Sequence, residues 1–248
     1  DSGSADETLT LAKSFNVRIH QNPFISFSNQ RNFAHEYCDL KYNWVLHLDA
    51  DEEMTDELEQ EIQACLNNNI ELDCFNISSK LIFFGRFLRY SAGFPNYQVR
   101  LLRKHIKFHE VGHGQKEICD ITKIGFFKAS YLHYNFSQGI QSWLTRHVSY
   151  AKKEADLIWI HRKNGYKNLK KIRNFNRKNV KLIYSFCPLF LRPIIKFLFL
   201  YVMKGGFRDG KIGLYFCLLQ LAYEAMIYIF YIEKRFNFNH ESQTSKLV

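Results

Sequence analysis

The run Trp44-Val45-Leu46-His47-Leu48 ends abruptly in Asp49-Ala50-Asp51-Glu52-Glu53, and this junction constrains the fold more than any other part of the chain. An apolar run of this length suits a buried strand. The four carboxylates that follow it cannot enter a core unpaired, so they stand on a loop past the strand's carboxyl end. A helix comes next. Thr55 is an N-cap residue, Asp56 and Glu57 suit a first turn, and Leu58, Ile62 and Leu66 recur on one face.

The same rhythm precedes the junction. Asp1 to Glu7 is turn chemistry, and Ser4 with Glu7 has capping-box spacing ahead of Leu9, Leu11, Ala12 and Phe15. Val17–His20 reads as a short strand, Asn22-Pro23 as a loop, and Ser28 to Tyr37 as a second helix. Alternation of this kind predicts an α/β fold with a mainly parallel sheet flanked by helices. From Cys74 the segments Phe75–Phe84, Tyr97–Arg103, Lys107–Val111 and Phe126–His133 favour strands, with hairpins and an antiparallel edge. Beyond Ser142 the chain turns helical, passes through the basic stretch Arg162–Lys181, and ends in two apolar blocks, Leu182–Met203 and Ile212–Ile232. The first block is interrupted by Pro188, Arg192, Pro193 and Lys196; the second approaches the length a bilayer needs. This divides the chain into a domain at 1–140, a basic helical linker at 141–181 and an apolar helical tail at 182–248.

The net charge of +10 is unevenly spread. Residues 1–145 hold 14 basic and 18 acidic side chains, residues 146–181 hold 12 and 2, and residues 182–248 hold 8 and 4. An acidic body thus feeds a basic segment and an apolar, aromatic tail, which calls for an anionic partner. No nucleic-acid reader module is recognisable, and the basic run adjoins apolar helices, so the partner expected is an anionic membrane surface and not nucleic acid. The expected location is the cytoplasmic face of the cell membrane, held peripherally, monotopically or by a single pass. Pairing of the aromatic helices into a homodimer is a further arrangement that the tail allows. Six cysteines without a CxxC pattern read as reduced packing thiols.

Loops past the carboxyl ends of parallel strands are where α/β proteins hold ligands. Asp49 and Asp51 there offer hard oxygen atoms to Mg²⁺ or Mn²⁺, which would neutralise a diphosphate. On spacing alone, a solvated acidic helix start is an equal reading of the same residues.

Three stretches taken together go further: Asp1-Ser2-Gly3-Ser4-Ala5-Asp6, Asn29-Gln30-Arg31-Asn32-Phe33-Ala34, and Trp44 to Glu52. In order and spacing they resemble the nucleotide-sugar half of family 2 glycosyltransferases, which have the GT-A fold. Gly93-Phe94-Pro95-Asn96-Tyr97-Gln98-Val99-Arg100-Leu101, His133-Tyr134, Trp143 with His147, Tyr150 and Glu154, and Gly205 to Gly210 are similar to the branch that builds lipopolysaccharide core, capsule or exopolysaccharide. The resemblance implies an N-terminal strand ahead of Asp1, a nucleotide-sugar donor, UDP-linked, a saccharide or lipid-linked acceptor, and metal-dependent inverting transfer. It places Asp1, Ser2, Arg31, Asn32, Asp49 and Arg100 on the donor. Asp1 would face the nucleobase, Arg31 the base or phosphates, Asp49 the ribose or the metal, and Arg100 the diphosphate or an acidic acceptor. Arg31 has Glu36 or Asp39 as alternative partners, and Arg100 could be a surface strand residue. Asp51, Asp49 and His133 would be metal contacts, with a hydrogen-bonded structural role open to His133. Inverting transfer needs a base. Related sequences commonly carry an acid after the proline of Gly-x-x-Pro, where this chain has Asn96, which cannot take a proton and would position the acceptor. Glu110 and His113 are the alternatives. The competing expectation is a catalytically degenerate, membrane-associated binding protein with a GT-A-like fold.

Overall fold

A computed structural model describes residues 1–68, 70–111, 114–163 and 187–244. His113 and most of the basic stretch 162–181 lie outside the described residues. The architecture is mixed α/β. In chain order the elements are α1 (Thr8–Ser14), α2 (Phe27–Tyr37), β1 (Trp44–Leu46), β2 (Glu52–Glu53), α3 (Asp56–Leu66), β3 (Cys74–Phe83), β4 (Arg86–Phe87), β5 (Asn96–Arg103), β6 (Phe108–Val111), β7 (Gly114–Glu117), β8 (Ile124–His133), α4 (Gly139–Lys163), α5 (Arg192–Leu198) and α6 (Gly210–Thr244). They form two units. One comprises Asp1–Ser79 with Tyr97–Tyr131, the other Lys80–Asn96 with Leu132–Val248.

The first unit is built on a sheet in the order β1-β5-β3-β8-β2, with β6 and β7 as a separate hairpin. β1 runs antiparallel to β5, in a register that pairs Trp44 with Arg103 and Leu46 with Leu101. The pairing departs from the parallel arrangement that the helix–strand rhythm around this strand predicts. Leu58 and Ile62 of α3 pack onto Phe75, Ile77, Leu101, Phe127 and Tyr131, whereas Leu66, the third member of that face, is largely exposed. Thr55 fixes the helix start: its hydroxyl oxygen accepts from Leu58 N at 3.3 Å and its proton goes to Ser130 O at 2.9 Å. One turn on, the Glu61 carboxylate accepts from Lys128 N and Ala129 N, so α3 satisfies backbone donors of β8.

Two local expectations are corrected. The Ser4 capping box does not form, because the Ser4 hydroxyl and amide both bond the Asp1 carboxylate; α1 begins at Thr8, whose amide bonds Asp6. Val17–His20 is not a strand. Asp1 N donates to His20 O at 2.7 Å, Asn22 N donates to Asp1 O at 2.9 Å, and Arg18 donates to the carbonyls of Cys38 and Asp39.

In the second unit β3 turns into β4 through Phe84 and Gly85, both at positive φ, as a two-residue hairpin requires. α4 and α6 pack through Ala151, Ala155 and Ile227, and Phe216 of α6 joins Phe83 and Leu88. Pro193 opens α5, a position where its missing N–H costs little. Asp209 binds the chain at 90–91, accepting from Tyr90 N at 3.0 Å, Ser91 N at 2.8 Å and the Ser91 hydroxyl at 2.7 Å. The segment Gly206–Asn237 is long and apolar enough to cross a membrane.

Gly213 makes the tightest approach here: a Cβ at this position would stand 2.3 Å from Gly206 O. Backbone cannot yield as a side chain tip does, so Gly213→Ala should cost about 1–3 kcal/mol by overpacking. A drop in the urea midpoint of the full chain measures it, with Gly114→Ala, where a Cβ would make only an ordinary contact 3.9 Å from Val111 O, as the control.

Candidate functional site

The register of β1 and β5 builds the site. Continued past Leu46, it sets His47 opposite Arg100, and His47 N donates to Arg100 O at 2.8 Å. The Arg100 side chain thereby arrives beside the acidic loop, buried to 6% exposure. Its Nη2 donates to Asp49 Oδ2 at 3.0 Å and to Glu52 Oε1, its Nε faces the Tyr131 hydroxyl at 3.3 Å, and its guanidinium lies over the Tyr131 ring. Glu52 is fully enclosed, and its other oxygen accepts from Asp49 N at 3.0 Å. Burial opposes charge at Arg100, but Asp49, Tyr131 and Glu52 together outweigh it and raise the pKa above its ordinary value.

Helix α2 supplies the second cation. Ser26 caps it by accepting from Asn29 N at 3.2 Å, which phases Arg31 and His35 onto one face, four residues apart. Arg31 Nη2 donates to Asp49 Oδ1 at 2.6 Å and Nη1 to His47 Nδ1. In the amide orientation that satisfies both ends, Gln115 accepts from Arg31 Nε at 3.2 Å and donates to Phe27 O at 2.7 Å. Arg31 therefore pairs with Asp49. Its sequence alternatives are committed elsewhere, Glu36 to Lys107 and Asp39 to Arg18. Burial lowers the Arg31 pKa, and Asp49 opposes the shift.

Arginine can only donate, so this network fixes the imidazole tautomers. His47 accepts at Nδ1, carries its proton on Nε2 and donates it to His35 Nε2 at 2.8 Å; His35 in turn donates from Nδ1 to Lys104 O at 2.8 Å. The rings lie within 5° of one plane with centroids 5.0 Å apart, edge to edge, and Phe108 stands perpendicular to both. Asn32 holds Phe108 there, donating to its carbonyl at 3.0 Å and accepting from its amide at 2.8 Å. Burial, then the charges of Arg31, His35 and Arg100, pull His47 down to about 2; burial also lowers His35. Both imidazoles are neutral.

Asp49 also lines a cavity of about 420 Å³ together with Asp1, Ser2, Gln30, Phe33 and Leu48. The structure thus brings together Asp1, Ser2, Arg31, Asp49 and Arg100, either on the cavity wall or one bond behind it. The Asp1 carboxylate closes its own turn on Gly3 N and Ser4, and Ser2 accepts from Gln30 at 2.7 Å. Glu110 is exposed on β6, across from Gln115. Asn96, at the start of β5, and His133, at the end of β8, belong to the second unit.

A divalent ion shared with a diphosphate needs one or two protein carboxylates. Among the described residues no three His, Cys, Asp or Glu side chains converge, and both Asp49 oxygens face arginine. The described residues therefore form no protein cage for such an ion.

With this geometry in view, comparison with known proteins is informative. The chain is similar over most of its length to proteins named as glycosyltransferases. An uncharacterized glycosyltransferase of Rickettsia felis is 25% identical over 90% of this chain and 77% of its own length. Those of Rickettsia typhi and Rickettsia conorii are 26% identical over 90% and 75%, and 24% identical over 79% and 70%, respectively. No family model matches the chain.

Sequence reasoning passed over His47, His35, Glu52 and Gln30. Two signals were available: a histidine inside an apolar strand ending in carboxylates, and a second one four residues beyond Arg31.

Two outcomes follow for the purified chain. Arg100→Met leaves enclosed Glu52 without its cation and should cost about 3–5 kcal/mol in urea unfolding. His47, with a folded pKa far below the unfolded 6.5, contributes stability above pH 6.5 that is lost as pH falls, since only the unfolded state then binds the proton. Below pH 6.5 the loss from this residue steepens toward about 1.4 kcal/mol per unit, and His47→Gln should flatten that slope.

Proposed function

We propose that the protein transfers a sugar from a nucleotide-sugar donor, UDP-linked, to a saccharide or lipid-linked saccharide of the cell surface, as a family 2 glycosyltransferase of GT-A type. The observation that carries this reading is Asp49, where a nucleoside-sized cavity meets two arginines whose countercharges are Asp49 and Glu52. The rickettsial relatives support the same reaction class.

In this reading the donor's base and ribose occupy the cavity beside Phe33 and Gln30, near Asp1 and Ser2. The diphosphate lies toward Asp49. Asp49 is half exposed, so its bond to Arg31 is the one that exchanges: an arriving phosphate oxygen takes the Arg31 proton donor that Asp49 gives up. Arg100 stays fixed by Glu52 and Tyr131 and supplies a standing positive field at the leaving group. Mg²⁺ or Mn²⁺ bound by Asp51 would add Lewis-acid stabilisation of the departing diphosphate. Glu110 or His113 would take the acceptor hydroxyl proton as the new C–O bond forms and the sugar–phosphate bond breaks, with inversion at that carbon.

Asn96 favours one second reading, a protein that binds donor without transferring it. A panel of nucleotide sugars and saccharide acceptors, scored for released nucleoside diphosphate and for bound donor, separates the two. Turnover of a UDP-sugar, reduced about 100-fold or more in Asp51→Ala with folding intact, is the expected result. A donor that binds and is never consumed supports the second reading, and undiminished turnover in Asp51→Ala contradicts the role given to Asp51.

A further inference from the structure

Among its described residues the second unit carries an apolar surface left uncovered by their packing. From a 3₁₀ turn at Leu189–Leu191 the chain enters α5 and then a π turn at Phe199–Met203. Along this path Phe190, Ile194, Leu198 and Val202 form one exposed row, and Leu191, Ile195, Phe199 and Met203 form a second row beside it. A step of four residues overshoots a turn of α-helix by about 40°. The wider π turn undershoots, so it returns Val202 and Met203 to the face that α5 had begun to leave. Leu189, Arg192, Pro193 and Leu200 point the other way and are buried. Phe207 extends the exposed face, and no member of either row has a side-chain polar group able to hydrogen-bond.

The charges around this surface select its partner. Residues 187–223 contain five basic side chains and one acid, and that acid, Asp209, is committed to Tyr90 and Ser91. Lys204, Arg208 and Lys211 are exposed beside the apolar rows. We propose that this ledge, residues 190–207, docks into the interface of an anionic lipid bilayer, its aliphatic and aromatic side chains among the acyl chains and its lysines at the headgroups. A helix with one wholly apolar face and a cationic rim has the chemistry of an interfacial anchor.

In this arrangement α6 packs against α4 and does not cross the bilayer, while Tyr215, Leu218, Ile229 and Phe236 stay exposed along it. Phe216 and Ile227 pack inside the unit, Glu224 is buried, and Lys234 pairs with Asp156 of α4. α4 also carries Arg146, Lys152, Lys153 and Glu154, and a helix so charged does not accompany α6 through hydrocarbon. This inference stands apart from the sugar-transfer reading, since lipid binding needs no donor.

The test is co-sedimentation of the full chain with phosphatidylcholine vesicles and with vesicles containing 30% phosphatidylglycerol, at about 0.15 M salt, where surface charges still act within a Debye length. Wild type should bind the anionic vesicles and be released by alkaline carbonate. The double variant Ile194→Glu/Leu198→Glu alters exposed positions, so its thermal unfolding should match wild type while bound protein falls at least ten-fold. Lys204→Gln and Lys211→Gln should each weaken binding about five-fold. Undiminished vesicle binding by the double variant overturns the proposal. So does resistance to carbonate, which would make α6 a span, and so does light scattering that shows a wild-type dimer split by the double variant with no vesicle binding, which would make the ledge a contact between copies.

Discussion

A guanidinium taken out of water must be matched where it sits, and the site in the first unit is organised by meeting that demand for Arg100. The antiparallel register of β1 and β5 places it, Glu52 and Asp49 neutralise it, and the Tyr131 hydroxyl occupies its remaining face. Replacing Glu52 would leave a buried cation and replacing Arg100 a buried carboxylate, so the loop 49–53 is bound to the strand pair by electrostatics, not by apolar packing. Arg31 extends the arrangement to α2, and the neutral His47–His35 pair ties that helix to the backbone at Lys104. The four charges of Arg31, Arg100, Asp49 and Glu52 sum to zero.

The second unit depends on backbone proximity. Gly206 and Gly213 approach too closely for any side chain, and Asp209 fastens the same turn to Tyr90 and Ser91. These contacts hold the chain at 205–213 by groups other than its large apolar side chains. Phe207, like the rows that precede it, is left facing outward as a consequence.

Much of this was legible in the sequence wherever one local rule governed the outcome. The strand ending at the acidic loop, Thr55 as cap, Leu58 and Ile62 as core and the strands after Cys74 all follow from periodicity and capping chemistry. The Ser4 capping box failed because a nearer carboxylate, Asp1, took the same hydroxyl and amide. Of the site, Arg31, Asp49 and Arg100 were found through resemblance, but what each one touches was not. Asn32 shows the difference: the same motif position serves here to pin Phe108 against the histidine pair. His47 and Glu52 escaped notice because their importance arises from β-register and burial, which join residues far apart in the chain.

The cavity bordered by Asp49 is the proposed seat of the nucleoside diphosphate of a sugar donor. Calorimetric titration of UDP into wild type and into Ala34→Trp, which places an indole in that cavity from α2 without touching the arginine network, tests it most directly. Saturable binding by wild type and its loss in Ala34→Trp, with the unfolding midpoint unchanged, is the expected result. Equal affinity in the two proteins, or no heat in wild type with Mn²⁺ present, would contradict it.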